Sequence, residues 1–460
     1  AARYGWSASP KATLFNAAGL PATSFRTDDW NDKLPAAQDK GKTSYLTNEA
    51  EFKPLFNGKD LSGWIPVTTG PSTGSVKNGA IHCTGHPTGV MRTTGQYENF
   101  VMEMEFRHLE PGGNAGLFVW SDPICAKGVP FTRSLEVQVM DGREADWYTS
   151  DGDIFPIHGA TMTPENGRGG DRAFPTEKRM KRSPEWNHYR VECINGDISL
   201  AVNGKVVTRG RNATPRKGYI CLESEGSPVE FRNIKIKELP ATSPALAESM
   251  CAKSDEGFVS LFNGENFDGW KFGKEHEGHW SISDWTLNFD GGGDHLWSSK
   301  SYKDFVLICD WRWTGKATET ERPVILASGE QAKNDDGTPK TVKVMDAGDS
   351  GIYLRGNDKS QVNMWCWPCG SGEVYGYRTD GKMSAEVRAG VTPSEFADAP
   401  LGPWNRFIIT MKGDRLTVAL NGKTVITNAQ LPGVPAEGPI ALQMHGGALQ
   451  FANIYIKELK

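Results

Sequence analysis

Along Phe100–Arg107 the side chains of Phe100, Met102, Met104 and Phe106 alternate with Val101, Glu103, Glu105 and Arg107. A period of two marks a strand with one face in a core. Phe305, Leu307, Cys309, Trp311 and Trp313 repeat the pattern further on. Around Asn203-Gly204 and Asn421-Gly422, two alternating runs flank an Asn-Gly pair. That is a hairpin signal, because both turn residues must take positive φ and Asn and Gly tolerate it. Convincing amphipathic helices are hard to find, and no apolar run approaches the ~18 residues of a membrane-crossing helix. The pattern predicts an all-β protein of many short strands.

Self-comparison organises these strands. FKPLFNGKDLSGW (Phe52–Trp64) recurs as FVSLFNGENFDGW (Phe258–Trp270), and the run Phe231–Leu239 recurs as Phe451–Leu459. Between these ends, Trp186-Asn187 and Asn203-Gly204 recur, equally spaced, as Trp404-Asn405 and Asn421-Gly422, so the difference in length between the copies lies upstream of that block. The unit is too long for a solenoid repeat, so each copy is expected to fold around its own core. The expected organisation is an extension over residues 1–50, a first domain over 51–240, a linker rich in Ala, Ser and Pro over 241–256, and a second domain over 257–460. Short strands in this number suggest a two-sheet jelly-roll sandwich for each copy. Trp64 and Trp270, which follow turn residues, are expected to anchor the cores.

Charge narrows the function classes. With 51 basic and 56 acidic side chains the net charge is −5, which leaves no footprint for nucleic acid, and the basic run Lys178, Arg179, Lys181, Arg182 reads as a solvated loop. The 52 Gly, 27 Pro and 15 Trp suit a turn-rich β protein. Among eight cysteines, Cys366 and Cys369 mimic a redox spacing outside the helical context that chemistry needs, so a local disulfide or two thiols is expected. Cys193 and Cys221 are a second conceivable pair. No Cys/His spacing fits zinc, and although loop carboxylates could hold a divalent ion such as calcium, nothing specifies one, so no metal ligands are assigned.

The ordered motifs LFNGKDLSGW, GNAGLFVW, LEVQVMD, PEWNHYRVE, GYICLESEG and FRNIKIKEL resemble the 3-keto-disaccharide hydrolase domain family. The second copy, with DSGIYLRG, KSQVNMW, GSGEVYGYRTD, IALQMHG and FANIYIKEL, is similar to another branch of that family. The resemblance implies concanavalin-like jelly rolls with a carbohydrate cleft on the concave sheet, found in periplasmic or extracellular bacterial proteins. ARYGW and Gly19–Trp30 resemble the closing segment of sialate O-acetylesterase-like proteins. In those proteins the nucleophilic serine lies far upstream, so the expectation is an esterase domain earlier in the same polypeptide and no esterase activity in these residues.

Alternation then sorts side chains by face. In LEVQVMD, Val137 and Val139 fit the core, leaving Glu136, Gln138 and Met140 on the other face; in ICLESEG, Cys221, Glu223 and Glu225 oppose Leu222 and Ser224. Arg190 and Glu192 join by the same reading, and Asp141, Asp153 and His158 are expected on rim loops. A 3-keto sugar is acidic at C2, so cleavage needs a base for that hydrogen, donors for the enolate and acid assistance to the C1 leaving group. Glu136 or Glu223 is the expected base, His158 or Asp153 the acid or rim donor, and Gln138 and Asn114 the hydroxyl-orienting groups. In the second copy Gln361, Asn363, Gln443 and His445 align with Glu136, Gln138, Glu223 and Glu225, alongside Arg355, Trp365, Tyr377 and Arg378. Amides and aromatics grip sugars but are poor bases. The second copy thus reads as a binding domain or as an enzyme using His445 as base. The alternative for the whole chain is a pair of non-catalytic glycan-binding modules serving the upstream esterase.

Overall fold

The computed structural model describes residues 51–141 and 150–460, with the backbone of a short strand pair, Arg3–Tyr4 and Phe25–Arg26. The esterase-like reading of residues 1–50 lies outside the described residues apart from that pair.

The expectation of two all-β sandwiches holds. In the first, a six-stranded antiparallel sheet runs in the order Ile154–Ile157, Ser134–Met140, Asn114–Ser121, Tyr219–Ser224, Gly89–Thr93, Trp64–Pro66. It packs on a nine-stranded sheet centred on Asn187–Ile194, Phe100–His108 and Val229–Glu238. Leu135, Val137 and Val139 meet Ala115, Leu117 and Val119 on the core side of one sheet; Met102, Met104, Phe106 and Val191 face them from the other. Each large apolar side chain buried in this way contributes roughly 1.5–3 kcal/mol. The Asn203-Gly204 turn takes φ of 47° and 86°, and Asn421-Gly422 takes 51° and 84°, as the hairpin reading requires. Trp64 and Trp270 are buried, and each indole donates to the same carbonyl of its copy, Leu55 or Leu261.

The second sandwich pairs an eight-stranded sheet built on Leu449–Glu458, Phe305–Trp313 and Asn405–Lys412 with a four-stranded sheet ordered Leu296–Tyr302, Gly438–Leu442, Asp349–Leu354, Asn357–Trp365. It adds a hairpin, Thr318–Pro323 with Thr341–Asp346, and two short helices, Tyr375–Arg378 and Ala385–Gly390. The difference in copy length is therefore a balance: the second copy gains this hairpin, and the first has the longer connection between Met140 and Trp186.

The sandwiches are docked. Ile308 and Tyr455, on the face of the eight-stranded sheet turned away from its own core, join Val67, Val90, Phe118 and Cys221 of the first sandwich in one apolar cluster. At its edge the fully buried Asp310 accepts from Gly128 N (2.8 Å), Asn453 Nδ2 (2.8 Å) and Arg406 (Nε 2.6 Å, Nη2 2.8 Å). Arg406 and Asn453 also donate to the carbonyls of Cys125, Ala126 and Val129 in the first sandwich. Both oxygens of the buried Asp310 carboxylate are thus hydrogen-bonded, as the burial of a charge demands.

All eight cysteines are free thiols. A Cys193–Cys221 disulfide is ruled out by placement: Cys193 faces the core from the nine-stranded sheet, and Cys221 points out of the opposite side of the six-stranded one.

Candidate functional site

Strand Asn114–Ser121 carries the floor of the site. Its register sets Phe118 opposite Glu136 on one neighbour and Cys221 on the other, and Gly116 opposite Gln138. Leu117 pairs with Leu222, so Glu223 stands beside Gly116. The strands' core-facing valines and leucines force these polar residues onto the opposite face, as the alternation predicted. Glycine is required at position 116 by close approach: a Cβ there would lie 2.7 Å from Glu223 Oε2 and 3.1 Å from Glu136 Oε1. The two carboxyl groups thus converge over the bare backbone of Gly116.

A chain of amides flanks them. Gln138 Nε2 donates to Asn114 Oδ1 (2.6 Å) and the Ala115 carbonyl (3.1 Å), and Asn114 Nδ2 donates to Glu225 (2.5 Å). On the outer side the carbonyl of Asp153 accepts from Gln138 N at 2.9 Å. The Asp153 carboxylate, fully buried, accepts from Ser150 N (2.8 Å) and Oγ (2.6 Å) and pairs with Arg172 at 3.1 Å. The Arg172 guanidinium lies 3.3 Å over the ring centroid of Phe155, the cross-strand partner of Glu136.

Burial raises the carboxyls. It pushes Glu136 up to about 8, with Glu225 adding to the shift and Arg172 opposing it. Glu223 lies well above the carboxylate range, through burial and then the neighbouring Glu136 and Glu225. Glu225 is raised by burial and by Asp284, which reaches in from the second sandwich, against its bond from Asn114. Two carboxyls this close share protons as a unit, so the pair carries at most one charge near neutral pH. Glu223 Oε2 is buried without a hydrogen-bond partner. Such an orphan costs about 1–3 kcal/mol, which a ligand hydroxyl could recover.

Several expected members lie elsewhere. Arg190 is a correction: it belongs to the nine-stranded sheet, on the face away from the core, paired with Glu103 (2.8 Å) and Glu192 (3.0 Å). His158 follows the edge strand past Ile157, is exposed, and stacks on Phe131 rather than approaching the carboxyls. Asp141 ties loops together, accepting from Gly112 N (2.9 Å) and Ser183 N (3.1 Å).

In the second sandwich the register sets Gln361 opposite Tyr353 and Asn363 opposite Gly351, with Gln443 beside that glycine. The amides thus occupy the places of Glu136, Gln138 and Glu223. Gln361 donates to Gln443, and Gln443 Nε2 donates to Tyr353 OH at 2.9 Å. His445 lies 3.3 Å from Asp349, whose carboxyl burial pushes up to about 6 against the pull of His445. Trp365 shares this face, donates to the Gly370 carbonyl and stacks on Trp367 at 4.1 Å. Arg378 pairs with the fully buried Glu373. Two expectations fail. Tyr377 sits in the core with its hydroxyl on the Pro432 carbonyl. Arg355 is a buried clamp bonded to Asp304 and to the carbonyls of Lys303, Gly413 and Pro435.

Sequence reasoning missed Arg172 and Glu373. Arg172 comes from a loop remote from any strand motif, and Glu373 lies within GSGEVYGYRTD, where no alternation singles it out. Among the described residues no group of three or more His, Cys, Asp or Glu is placed to hold a metal ion, and no helix is long and apolar enough to cross a membrane.

The profile of the 3-keto-alpha-glucoside-1,2-lyase-like domain matches residues 51–237 and again 257–457. A 3-keto-disaccharide hydrolase of Bacteroides thetaiotaomicron is 22% identical over 229 residues, spanning 40% of this chain and 77% of that protein. Among solved structures, one named as a glycosyl hydrolase of Parabacteroides distasonis is 22% identical, covers 42% of this chain and 99% of its own, and has a TM-score of 0.34. A carbohydrate-binding module of Bacillus subtilis is 11% identical, covers 38% and 96%, and has a TM-score of 0.28.

Proposed function

The chain belongs to the 3-keto-alpha-glucoside-1,2-lyase-like family, and on that footing we propose that its first sandwich cleaves 3-keto glycosides or disaccharides by elimination and hydration at Glu136 and Glu223. The observation that carries this reading is the convergence of two buried carboxyls over Gly116, one with an orphaned oxygen. Glu136 ionises first and takes the C2 proton; its electrons form the C1=C2 bond, and the C1–O bond to the leaving group breaks. Glu223, held protonated, gives its proton to the departing oxygen. Water then adds across the double bond, hydroxyl to C1 and hydrogen to C2, so the net change is hydrolysis. Gln138 and Asn114 orient hydroxyls. This chemistry suits the site because loss of one proton leaves the buried pair with one ionised and one neutral carboxyl, the base and the acid that elimination needs, rather than with two ionised ones. We place the reaction in the periplasm or outside the cell.

The test is release of monosaccharide from a 3-keto disaccharide and from its unoxidised parent, by wild type and Glu136→Gln. Release from the keto sugar alone, lost in the variant, is expected. Release from the parent alone would overturn ketone dependence, and release from neither would favour a pair of glycan-binding modules, for which the amides Gln361 and Gln443 are the supporting feature.

A further inference from the structure

The two sandwiches share a device built from unlike parts of the sequence. Gln138 and Asn363 each stand opposite a floor glycine, Gly116 or Gly351, and each donates its backbone N–H at 2.9 Å to the carbonyl of a fully buried acid, Asp153 or Glu373. Two residues past each acid comes an aromatic ring, Phe155 or Tyr375. Over each ring lies the guanidinium that pairs with the acid: Arg172 at 3.3 Å and Arg378 at 5.2 Å from the centroid.

The arginines reach this place by different routes. Arg172 precedes Ala173, which bridges Ile154 from a distant loop. In the second sandwich the Val391 carbonyl accepts from Val374 N, as that of Ala173 does from Ile154 N, but Gly390 precedes it, and the guanidinium comes instead from the end of helix Tyr375–Arg378. An ion pair kept for stability alone has no need of such relocation, since apolar residues often replace buried pairs at no loss. A cation maintained at one place beside the floor, whatever loop supplies it, answers to a ligand. Arginine's planar donors suit sugar oxygens and a carbonyl.

We propose that the second sandwich carries a ligand site of its own, for a sugar of the same class as the first, with Arg378 beside the oxygen that Arg172 faces in the first. The proposal rests on the reading that the first site takes a keto sugar. Across the sheet face at whose edge Arg378 and Glu373 sit, the second sandwich offers what binding needs without the carboxyl pair that cleavage needs: the amides Gln361 and Gln443 and, towards the opposite edge, an aromatic wall in which Trp297 stacks on Tyr353 at 5.7 Å. It therefore holds sugar and leaves the cutting to the first.

Calorimetric titration of the full chain carrying Glu136→Gln, with a 3-keto disaccharide as probe, reads the number of sites. Two per chain are expected. Removing the second pair as Glu373→Gln with Arg378→Gln, which strands no buried charge, should leave one, and Arg378→Lys alone should weaken that site while a melting curve reports the fold. One site, unchanged by the double substitution, would overturn the proposal and leave the first site standing. One site that the double substitution abolishes would support the proposal and overturn the reading of the first. No binding at all would overturn both.

Discussion

Ile308 stands in the second sandwich where Glu103 stands in the first. Glu103 pairs across the sheet with Lys235 and is held by Lys235 and Arg190 in ion pairs; Ile308 pairs with Tyr455, and both are buried against Val90, Phe118 and Cys221. The same sheet position is wet and charged in one copy and dry in the other, which identifies it as the docking face. Tyr455→Lys, which restores the first copy's residue, should cost ~3 kcal/mol or more by burying an unpaired charge. Calorimetric melting should show the single transition lowered or split in two, and an unchanged melting curve would remove the interface from the account.

Gly116→Ala should leave the fold largely intact but push the carboxyls apart, since the new Cβ would meet Glu223 Oε2 at 2.7 Å. A displacement of this order at reacting groups costs about 10²-fold in rate. The expected result is a fall in kcat on a 3-keto disaccharide with little change in Tm; full activity would mean that the pair does not act together.

The Glu136 carboxyl, raised to about 8 by burial, makes opposite demands on stability and activity. Between the ordinary carboxyl range and about 8 the folded state binds the proton that the unfolded state has lost, so the stability this group lends is complete at acid pH and disappears as pH rises through 8. Cleavage needs the ionised base and should rise over the same interval. Glu136→Gln should therefore flatten the decline of Tm between pH 5 and 9 while abolishing the rising limb of the rate, checked by melting curves and by a pH–rate profile.

Arg355→Met should be a stability variant only. Its guanidinium satisfies three carbonyls and Asp304 at the end of a strand, none of them part of the amide pair. A loss of about 2–4 kcal/mol is expected, with sugar affinity retained in the folded protein; lost affinity at unchanged Tm would return Arg355 to the binding site.

Alternation within single strands was enough to place Glu136, Gln138, Glu223 and Glu225 on one face, because the core valines and leucines beside them leave no other register. It could not say which sheet a strand joins, and for that reason Arg190, read by the same rule, was assigned to the wrong sheet. Loop-borne groups have no period to read: His158 and Asp141 lie on the loops expected of them, but their partners, Phe131 for one and Gly112 and Ser183 for the other, are not legible in a pattern, nor are Arg172 and Glu373. The docking face was in principle legible, since aligning the copies sets Ile308 and Tyr455 against Glu103 and Lys235. The docking itself depends on how two separate cores meet, which no local pattern encodes.

The contact between the sandwiches joins the outer face of one repeat to the opposite kind of face on the other. Between identical subunits a head-to-tail contact of this kind leaves each copy with an unused face, so it can repeat into a ring or a filament. The outer face of the first repeat does not offer that apolar contact again, because it presents Glu103, Arg190 and Lys235 instead of Ile308 and Tyr455. Those three charges act as a terminator, disfavouring a further copy of a contact that could otherwise repeat.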